Sequence, residues 1–341
     1  MTENGKPKLA MYWASSCGGC EISVLNIHEN ILAVDEIFDL AFFPCIADFK
    51  VSDVEGYPDN YIDVCLFNGA IRNSENEHMA QLLRQKSKVM VAYGACSHVG
   101  SIPALSNLTS REATLKKVFL DNPSLDNPHE VLPQTSVHTP EGELTLPEFY
   151  HTVKKLDQVV DVDYYLPGCP PEPPQIWAVL QVVAGALTQG DPLPPAGSVV
   201  GAGNSAVCDE CDRVKHEKAI DRFYRPYEIQ PDPEQCLLEQ GIMCMGLATR
   251  SGCGALCPTV GMGCRGCYGP PAGVEDQGAK MLSAVASVIA AGDETMEEDE
   301  LETLIQEAVD TIADPSGTFY RFSMSHSILQ RVKDANGKGA A

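Results

Sequence analysis

The sequence predicts an α/β protein, in which a doubly wound parallel sheet is followed by a loop-rich domain and C-terminal helices. Three observations lead to this fold class. Short apolar runs alternate with segments of helical periodicity through the first half of the 341-residue chain, which is the pattern of a parallel sheet covered by helices. A Pro/Gly-rich stretch at 190–203 interrupts this alternation. Eight cysteines then crowd residues 208–267, where periodic segments are few.

The sheet is predicted from five apolar runs, at 8–14, 37–46, 61–67, 88–93 and 159–166. The first run leads into SSCGGC, and apolar residues recur at helical spacing after it, so a tight turn joins a strand to a helix. Ser74 and Glu77 have the spacing of a capping box and predict the start of a second helix. The prolines of PGCPPEPP predict the entrance of a third helix, with Ile176 and Leu180 on one face.

Four cysteines stand at the ends of predicted strands: Cys17, Cys20, Cys96 and Cys169. Ligands of open parallel sheets bind beyond the carboxyl ends of the strands, so we expect these thiols to converge on one edge. Free cysteine is also a common core residue, and four unrelated buried thiols are the competing interpretation. Cys45 and Cys65 are predicted to be small buried apolar residues and not ligands.

The later cysteines are Cys208, Cys211, Cys236, Cys244, Cys253, Cys257, Cys264 and Cys267. Eight thiolates divide naturally into two four-ligand sites. Structural zinc usually takes two short ligand pairs separated by a modest loop, whereas the spacings here are uneven. Cys257-Pro258 resembles the Cys-Pro step that ends ferredoxin motifs. The spacing therefore favours iron–sulfur clusters, with zinc as the alternative.

Composition narrows the function classes. The net charge of −23 argues against a nucleic-acid partner, which would call for a basic surface. No run of eighteen apolar residues occurs, so membrane insertion is not expected, and residues 1–8 do not have the pattern of a signal peptide. We therefore expect a cytoplasmic protein, whose fourteen cysteines serve as metal ligands more readily than as disulfides.

The strand-linked SCGGC, GACSHVGSIPAL and YYLPGCPPEPP motifs, followed by the eight-cysteine stretch, resemble the small (iron–sulfur) subunit of [NiFe] hydrogenases over roughly residues 8–275. That resemblance implies a flavodoxin-like sheet domain. The segments QGIMCMGLATRSGCGALCP, CRGCYGPPAGVEDQGAKM and GTFYRFS are most similar to the cytoplasmic group 3 branch that reduces methyl viologen and not coenzyme F420, where the corresponding chain is the gamma subunit.

The resemblance implies three [4Fe-4S] clusters. It assigns the proximal cluster to Cys17, Cys20, Cys96 and Cys169, the distal cluster to Cys208, Cys211, Cys236 and Cys244, and the medial cluster to Cys253, Cys257, Cys264 and Cys267. Periplasmic uptake enzymes have histidine where Cys208 stands and proline where Cys257 stands, and the proline leaves a three-iron medial cluster. Many of them also have glutamate where this chain has Ser16, which puts in doubt any proton-transfer or interface role at that position.

The resemblance also implies the partners. The Ni-Fe centre lies on a large subunit, and electrons from H2 would pass through the three clusters to a [2Fe-2S] delta-type subunit and to heterodisulfide reductase, in the chemistry of methanogenesis. Three alternatives stay open: an F420-reducing hydrogenase, a complex I-like oxidoreductase with one cluster, and a non-redox scaffold with zinc. His98 is expected to hydrogen-bond a sulfur, to face the large subunit, or to be a plain polar turn residue.

Composition also predicts the domain boundaries. The sheet domain occupies 1–189, a linker 190–203, the two-cluster domain 204–278 and a helical extension 279–341. Helices are predicted at 279–291 and 296–312, and the insert at 105–155 is expected to be mostly turns.

Overall fold

The computed structural model describes residues 5–216, 219–289 and 297–329. The strands are β1 Lys8–Trp13, β2 Asp39–Phe42, β3 Ile62–Asn68, β4 Ile71–Asn73, β5 Ser87–Tyr93, β6 Ser136–Thr139, β7 Gly142–Thr145, β8 Phe149–Lys154, β9 Tyr164–Leu166 and β10 Ser198–Val199. The helices are α1 Gly19–Leu25, α2 Asn30–Ile37, α3 Val51–Gly56, α4 Ser74–Lys86, α5 Ala95–Val99, α6 Arg111–Phe119, α7 Pro173–Gln189, α8 Leu256–Thr259, α9 Gln277–Ile289, α10 Glu298–Asp310 and α11 Pro315–Phe319.

A parallel sheet of six strands forms the centre of the first half, in the order β10-β9-β5-β3-β1-β2. Side chains alternate between its faces: Leu9 and Met11 pack with α1, α2 and α7, while Ala10 packs with α4 on the other face. Both faces are therefore buried, as expected for a parallel sheet covered by helices. The predicted α/β class and the five predicted strands are confirmed.

Several local predictions were wrong at their boundaries. The last predicted strand, 159–166, is only Tyr164–Leu166, because residues 159–163 form a turn and an irregular connection instead. The segment predicted as a linker contributes β10, the sixth strand of the sheet. Helix α4 is capped by Asn73 and not by Ser74: the Asn73 side-chain oxygen accepts a hydrogen bond from the Asn76 amide at 2.8 Å.

Two further expectations are corrected by tertiary contacts. The insert at 105–155 is not mostly turns, since it forms α6, a β6–β7 hairpin, and β8, which pairs antiparallel with β4. Cys65 is fully buried in β3, as predicted, but Cys45 is exposed. Cys45 lies in a turn just after β2, where no second layer of side chains covers it.

Residues 204–278 are loop-rich, as predicted, and contain single helical turns such as Val207–Glu210, Gly246–Ala248 and α8. The predicted C-terminal helices are present as α9 and α10, although residues 290–296 of the predicted segments lie outside the described residues. Helix α9 packs against the first half of the chain through a shared core. Its Met281 and Val285 belong to one buried cluster, which also contains Ala70, Ala104 and Val153. The domain boundaries themselves stay a prediction.

No helix in the described part of the chain is long and apolar enough to cross a membrane.

Candidate metal centres

The first set of cysteines lies at the carboxyl-terminal edge of the sheet. Cys17 and Cys20 follow β1, Cys96 follows β5, and Cys169 follows β9. Burial raises the pKa of the Cys20 thiol, and the charges of Cys96, Glu21, Cys169 and Cys17 raise it further. The four thiols therefore lie within electrostatic range of one another, as the strand ends predicted.

Glycines make room for these sulfurs. Gly94, at φ +83°, lies so close to Cys20 that a Cβ atom there would overlap the Cys20 Sγ. Burial raises the pKa of Cys96 to about 12, and the Ser101 side chain opposes that shift; Ser101 also lowers the pKa of Cys169. The cradle thus brings the backbone of Gly94 and the side chain of Ser101 close to these sulfurs, and Ser101 Oγ makes no hydrogen bond within the described part of the chain.

A buried carboxyl stands beside this set. Glu21 is 5% exposed, and its Oε1 accepts a hydrogen bond from Asn68 Nδ2 at 2.7 Å. The same Asn68 nitrogen donates to Ser16 Oγ at 2.9 Å. Burial raises the pKa of Glu21, and its Oε2 has no hydrogen-bond partner among the described residues. Sequence reasoning missed Glu21, although its place directly after a candidate ligand was a usable signal.

The second set, Cys208, Cys211, Cys236 and Cys244, lines one cavity together with Arg213 and Lys215. Burial raises the pKa of Cys208 to about 11; Lys215 lowers it, and the other three cysteines raise it. A Cβ atom at Gly246 would stand 3.3 Å from Cys208 Sγ and 3.7 Å from Cys244 Sγ. These thiols converge on a concave, partly cationic site.

The third set is Cys253, Cys257, Cys264 and Cys267. Burial raises the pKa of Cys264 to about 12, as does the charge of Cys244, and the nearby Thr249 side chain and Gly266 backbone oppose this shift. The Thr249 hydroxyl itself donates to the Met245 carbonyl at 2.7 Å. The pKa of Cys253 is also raised by burial, and the Leu256 and Ala255 amides lower it. Cys257 is exposed, whereas Cys264 is buried.

Two contacts between sets give their order. The pKa of Cys267 is raised first by burial and then by the charges of Cys264 and Cys169, which links the third set to the first. The Cys264 amide donates a hydrogen bond to Cys244 Sγ at 3.3 Å, which links the third set to the second. The set of Cys253, Cys257, Cys264 and Cys267 therefore lies between the other two.

The donors fit a sulfur-ligated group, since each set is four thiols beside glycines or backbone amides. The sets are looser than a single-ion site: nowhere in 5–216, 219–289 and 297–329 do three His, Cys, Asp or Glu side chains converge closely enough to hold one metal ion. Metal ligation requires thiolates, and burial raises the pKa of the Cys20, Cys96, Cys208, Cys264 and Cys267 thiols, so ligation by these residues would release protons.

His98 is not the polar turn residue that was one of its expected roles. It is buried in α5, and its ring lies 5.0 Å from that of Tyr165. Burial and the neighbouring His326 lower its pKa to about 3, so it is neutral. Its Nδ1 has no hydrogen-bond partner in the described part of the chain.

Comparisons with known proteins identify the family of this chain. The family model described as NADH ubiquinone oxidoreductase, 20 kDa subunit, matches residues 17–183. The iron–sulfur subunit of the F420-non-reducing hydrogenase of Archaeoglobus profundus is 41% identical over 289 residues, 83% of this chain and 88% of that protein. The corresponding F420-non-reducing hydrogenase subunit of Methanothermobacter marburgensis is 35% identical over 336 residues, 98% of this chain and 99% of that one.

Among solved structures, a chain of an NAD⁺-reducing [NiFe]-hydrogenase in the H2-reduced state is 30% identical, with a TM-score of 0.46 over 56% of this chain and 96% of that chain. The sequence relatives show a hydrogenase small subunit, and hence a component of an oxidoreductase. Within that class, the chain belongs to the family of iron–sulfur subunits of F420-non-reducing hydrogenases.

Proposed function

We propose that this chain carries electrons from H2 oxidation at the Ni-Fe centre of a large subunit through three [4Fe-4S] clusters. The proximal cluster would be held by Cys17, Cys20, Cys96 and Cys169, the medial by Cys253, Cys257, Cys264 and Cys267, and the distal by Cys208, Cys211, Cys236 and Cys244. The observation that carries this proposal is the convergence of twelve thiols into three linked sets of four.

Bound iron–sulfur clusters supply one-electron carriers, and the chain's own groups adjust their potentials. Amides and hydroxyls that donate to ligand sulfurs stabilise added negative charge and so favour the reduced state. The Cys264 amide acts in this way on Cys244, to whose Sγ it donates at 3.3 Å. Lys215, near Cys208, adds a full positive charge at the distal site.

Beyond the distal cluster we propose a [2Fe-2S] delta-type subunit and heterodisulfide reductase as the acceptors, in the cytoplasm. Relatives named F420-non-reducing hydrogenase, at 35% and 41% identity, support this branch over an F420-reducing enzyme. Anaerobically purified complex would be supplied with H2 and either F420 or the heterodisulfide with its reductase. Reduction of F420 at the rate seen with methyl viologen would overturn the branch assignment.

Metal content tests the three-cluster proposal. We expect about twelve irons and twelve labile sulfides per chain, with three sets of four cysteines as ligands. The reduced complex should show coupled four-iron EPR signals, and the oxidised complex should show no three-iron signal. About four irons with two zincs would contradict the proposal and leave a one-cluster subunit with a zinc-structured domain.

A complex I-like role has one observation in its favour, because the matching family model is described as a subunit of NADH ubiquinone oxidoreductase. That match ends at residue 183, before the eight later cysteines. A complex I-like subunit would carry only the proximal cluster. The same iron analysis separates the two functions, since four irons without zinc would favour the complex I-like role.

A further inference from the structure

The C-terminal strap, which we define as residues 315–328, contains α11 and a turn of 3-10 helix at Met324–His326, and its residues 317–327 are buried or half-buried. Phe322 is 8% exposed, and Ser323, Met324 and Ser325 are 0%, 1% and 2% exposed. Burial of this many consecutive residues in a terminal segment indicates that the strap is part of the packed interior and not an appendage. The proposed electron path, as described so far, assigns it no role.

One side of the strap is attached to the sheet domain. The Ser101 amide donates to the Phe322 carbonyl at 3.1 Å, and Ser325 Oγ donates to the Val153 carbonyl at 2.7 Å. Gly100, at φ +87°, lies so close that a Cβ atom there would stand 2.5 Å from the Ser325 Cβ. The strap is therefore fitted tightly against the loop that follows Cys96.

The other side is attached to the cluster-bearing region. The Ile328 amide donates to Asp276 Oδ2 at 3.0 Å. The Tyr320 ring covers Gly278 so closely that any Cβ atom there would overlap it. Phe319 is buried in the same core as Met281 and Val285 of α9. The strap thus ties together the two parts of the chain that carry the proximal and the medial cysteines.

Phe322 lies where these two parts meet. It forms a buried cluster with Ala95 and Val99 of α5, and Cys169 and Cys267 pack against this cluster. Cys169 belongs to the proximal set and Cys267 to the medial set. A Cβ atom at Gly269 would stand 3.2 Å from the Val99 side chain, so the loop that carries Cys267 also contacts α5 directly. Close packing of this kind resists small displacements.

We propose that Phe322 is a positioning residue that sets the separation of the proximal and medial sites, and through it the rate of electron transfer between them. This inference rests on the proposed function. The step transfers one electron from the proximal site, which is oxidised by one electron, to the medial site, which is reduced by one. Oxidation of H2 to two protons and two electrons on the large subunit supplies the reductant.

The test uses the complete complex carrying Phe322→Ala or Phe322→Leu, with Phe319→Leu as the matched control. Leucine keeps an apolar side chain at position 322 and loses the ring, so the fold should be retained. Phe319 is equally part of the strap but packs in the α9 core and not with the Cys169 and Cys267 cluster. Iron per chain, the EPR coupling between reduced clusters, and the rate of cluster reduction after H2 mixing are measured on all three.

In Phe322→Ala we expect medial and distal reduction to slow by about tenfold, which corresponds to about 1.4 kcal/mol in the barrier. The EPR splitting between proximal and medial clusters should change, and Phe322→Leu should show a smaller effect. Proximal reduction by H2 and the Phe319→Leu control should keep wild-type rates. Unchanged splitting and rates in Phe322→Ala would overturn the inference.

Loss of iron would also be decisive. Iron lost from the proximal and medial sites of a Phe322 variant, with the distal cluster retained, would support a shared packing role. Equal loss from all three sites would count against it. A wild-type complex with about four irons would overturn the proposed function itself, which distinguishes that failure from a failure of the Phe322 inference.

Discussion

Cys17, Cys20, Cys96 and Cys169 follow strands of one parallel sheet, whereas the other eight candidate ligands lie on loops and single helical turns between 207 and 267. In the first region, strand ladders and a helix-covered core of buried side chains hold the backbone. In the second, few elements connect the ligands, so bound metal would supply much of the organisation. The comparison predicts that the first set of cysteines is held by a preformed scaffold, whereas the order of the other two sets depends on bound metal.

The largest expected difference between the regions concerns removal of iron. Anaerobic chelation should abolish hydrogen-exchange protection across 207–267, because the loops lose their cross-links. Amides of β1, β3 and β5 should keep most of their protection. Hydrogen exchange followed by mass spectrometry checks this, and reconstitution with iron and sulfide is the control. Simultaneous loss of protection in both regions would show that the sheet, too, depends on the clusters.

The next prediction concerns the space that Gly94 leaves for the Cys20 sulfur. Gly94→Ala should lose the proximal cluster, since the new Cβ would occupy the space of the Cys20 sulfur. The backbone at φ +83°, ψ 166° adds about 1–3 kcal/mol of strain. Iron per chain should fall by about four, the content of one [4Fe-4S] cluster.

Gly254→Ala is the matched control for Gly94→Ala. Gly254 also has a positive φ, +65°, and also neighbours a candidate ligand, but apart from its two chain neighbours no described residue lies within 4 Å of the point that an added Cβ would occupy. It should lose only about 1 kcal/mol of stability and keep its iron. Equal iron loss in both variants would mean that backbone strain, and not sulfur space, controls cluster retention.

The loop-borne region can be altered at its exposed ligand. Cys257→Pro should convert the medial site to a three-iron cluster, because three thiols remain and the fourth corner has no ligand. Position 257 lies in the first turn of α8, where proline is tolerated. We expect about one iron fewer per chain and an oxidised three-iron EPR signal. Cys45→Ser, at an exposed cysteine outside the three sets, should leave the spectrum unchanged.

The smallest prediction concerns the junction between the regions. Partial burial and the charge of Lys155 lower the pKa of His326, whereas Asp157 and Asp276 oppose this shift. The buried histidine His98 lies nearby. The folded strap therefore binds fewer protons than the unfolded chain below about pH 6.5. The contribution of neutral His326 to the stability of the strap is therefore complete above that pH and decreases as the pH falls below it.

His326→Gln should therefore flatten the pH dependence of strap protection between pH 6.5 and 5.5. The difference cannot exceed about 1.4 kcal/mol, which is the contribution of one group over one pH unit. Hydrogen exchange of residues 315–329 at the two pH values measures it. His78→Gln, at an exposed histidine, is the control. An unchanged slope in His326→Gln would place the acid sensitivity of the strap elsewhere.

The fold class was predictable because hydrophobic periodicity reports directly which faces are buried. Local hydrogen-bond competition was not predictable from spacing. Ser74 and Glu77 have the spacing of a capping box, yet the Asn73 side chain caps the helix. Ser74 Oγ instead accepts a hydrogen bond from the backbone amide of Glu148, which follows β7. Similarly, nothing local to Ser198 and Val199 shows that this short segment adds a strand to the sheet.

By itself the sequence determined the fold class and the family to which the chain belongs, and it predicted which cysteines are candidate ligands, since motif spacing and apolar period are local properties. Only the tertiary structure decided that the set of Cys253, Cys257, Cys264 and Cys267 lies between the other two, that Glu21 is a buried carboxyl, and that Phe322 meets two cysteine sets. These relations join residues far apart in the chain, such as Cys169 and Phe322, and the packing of a shared core brings such residues together.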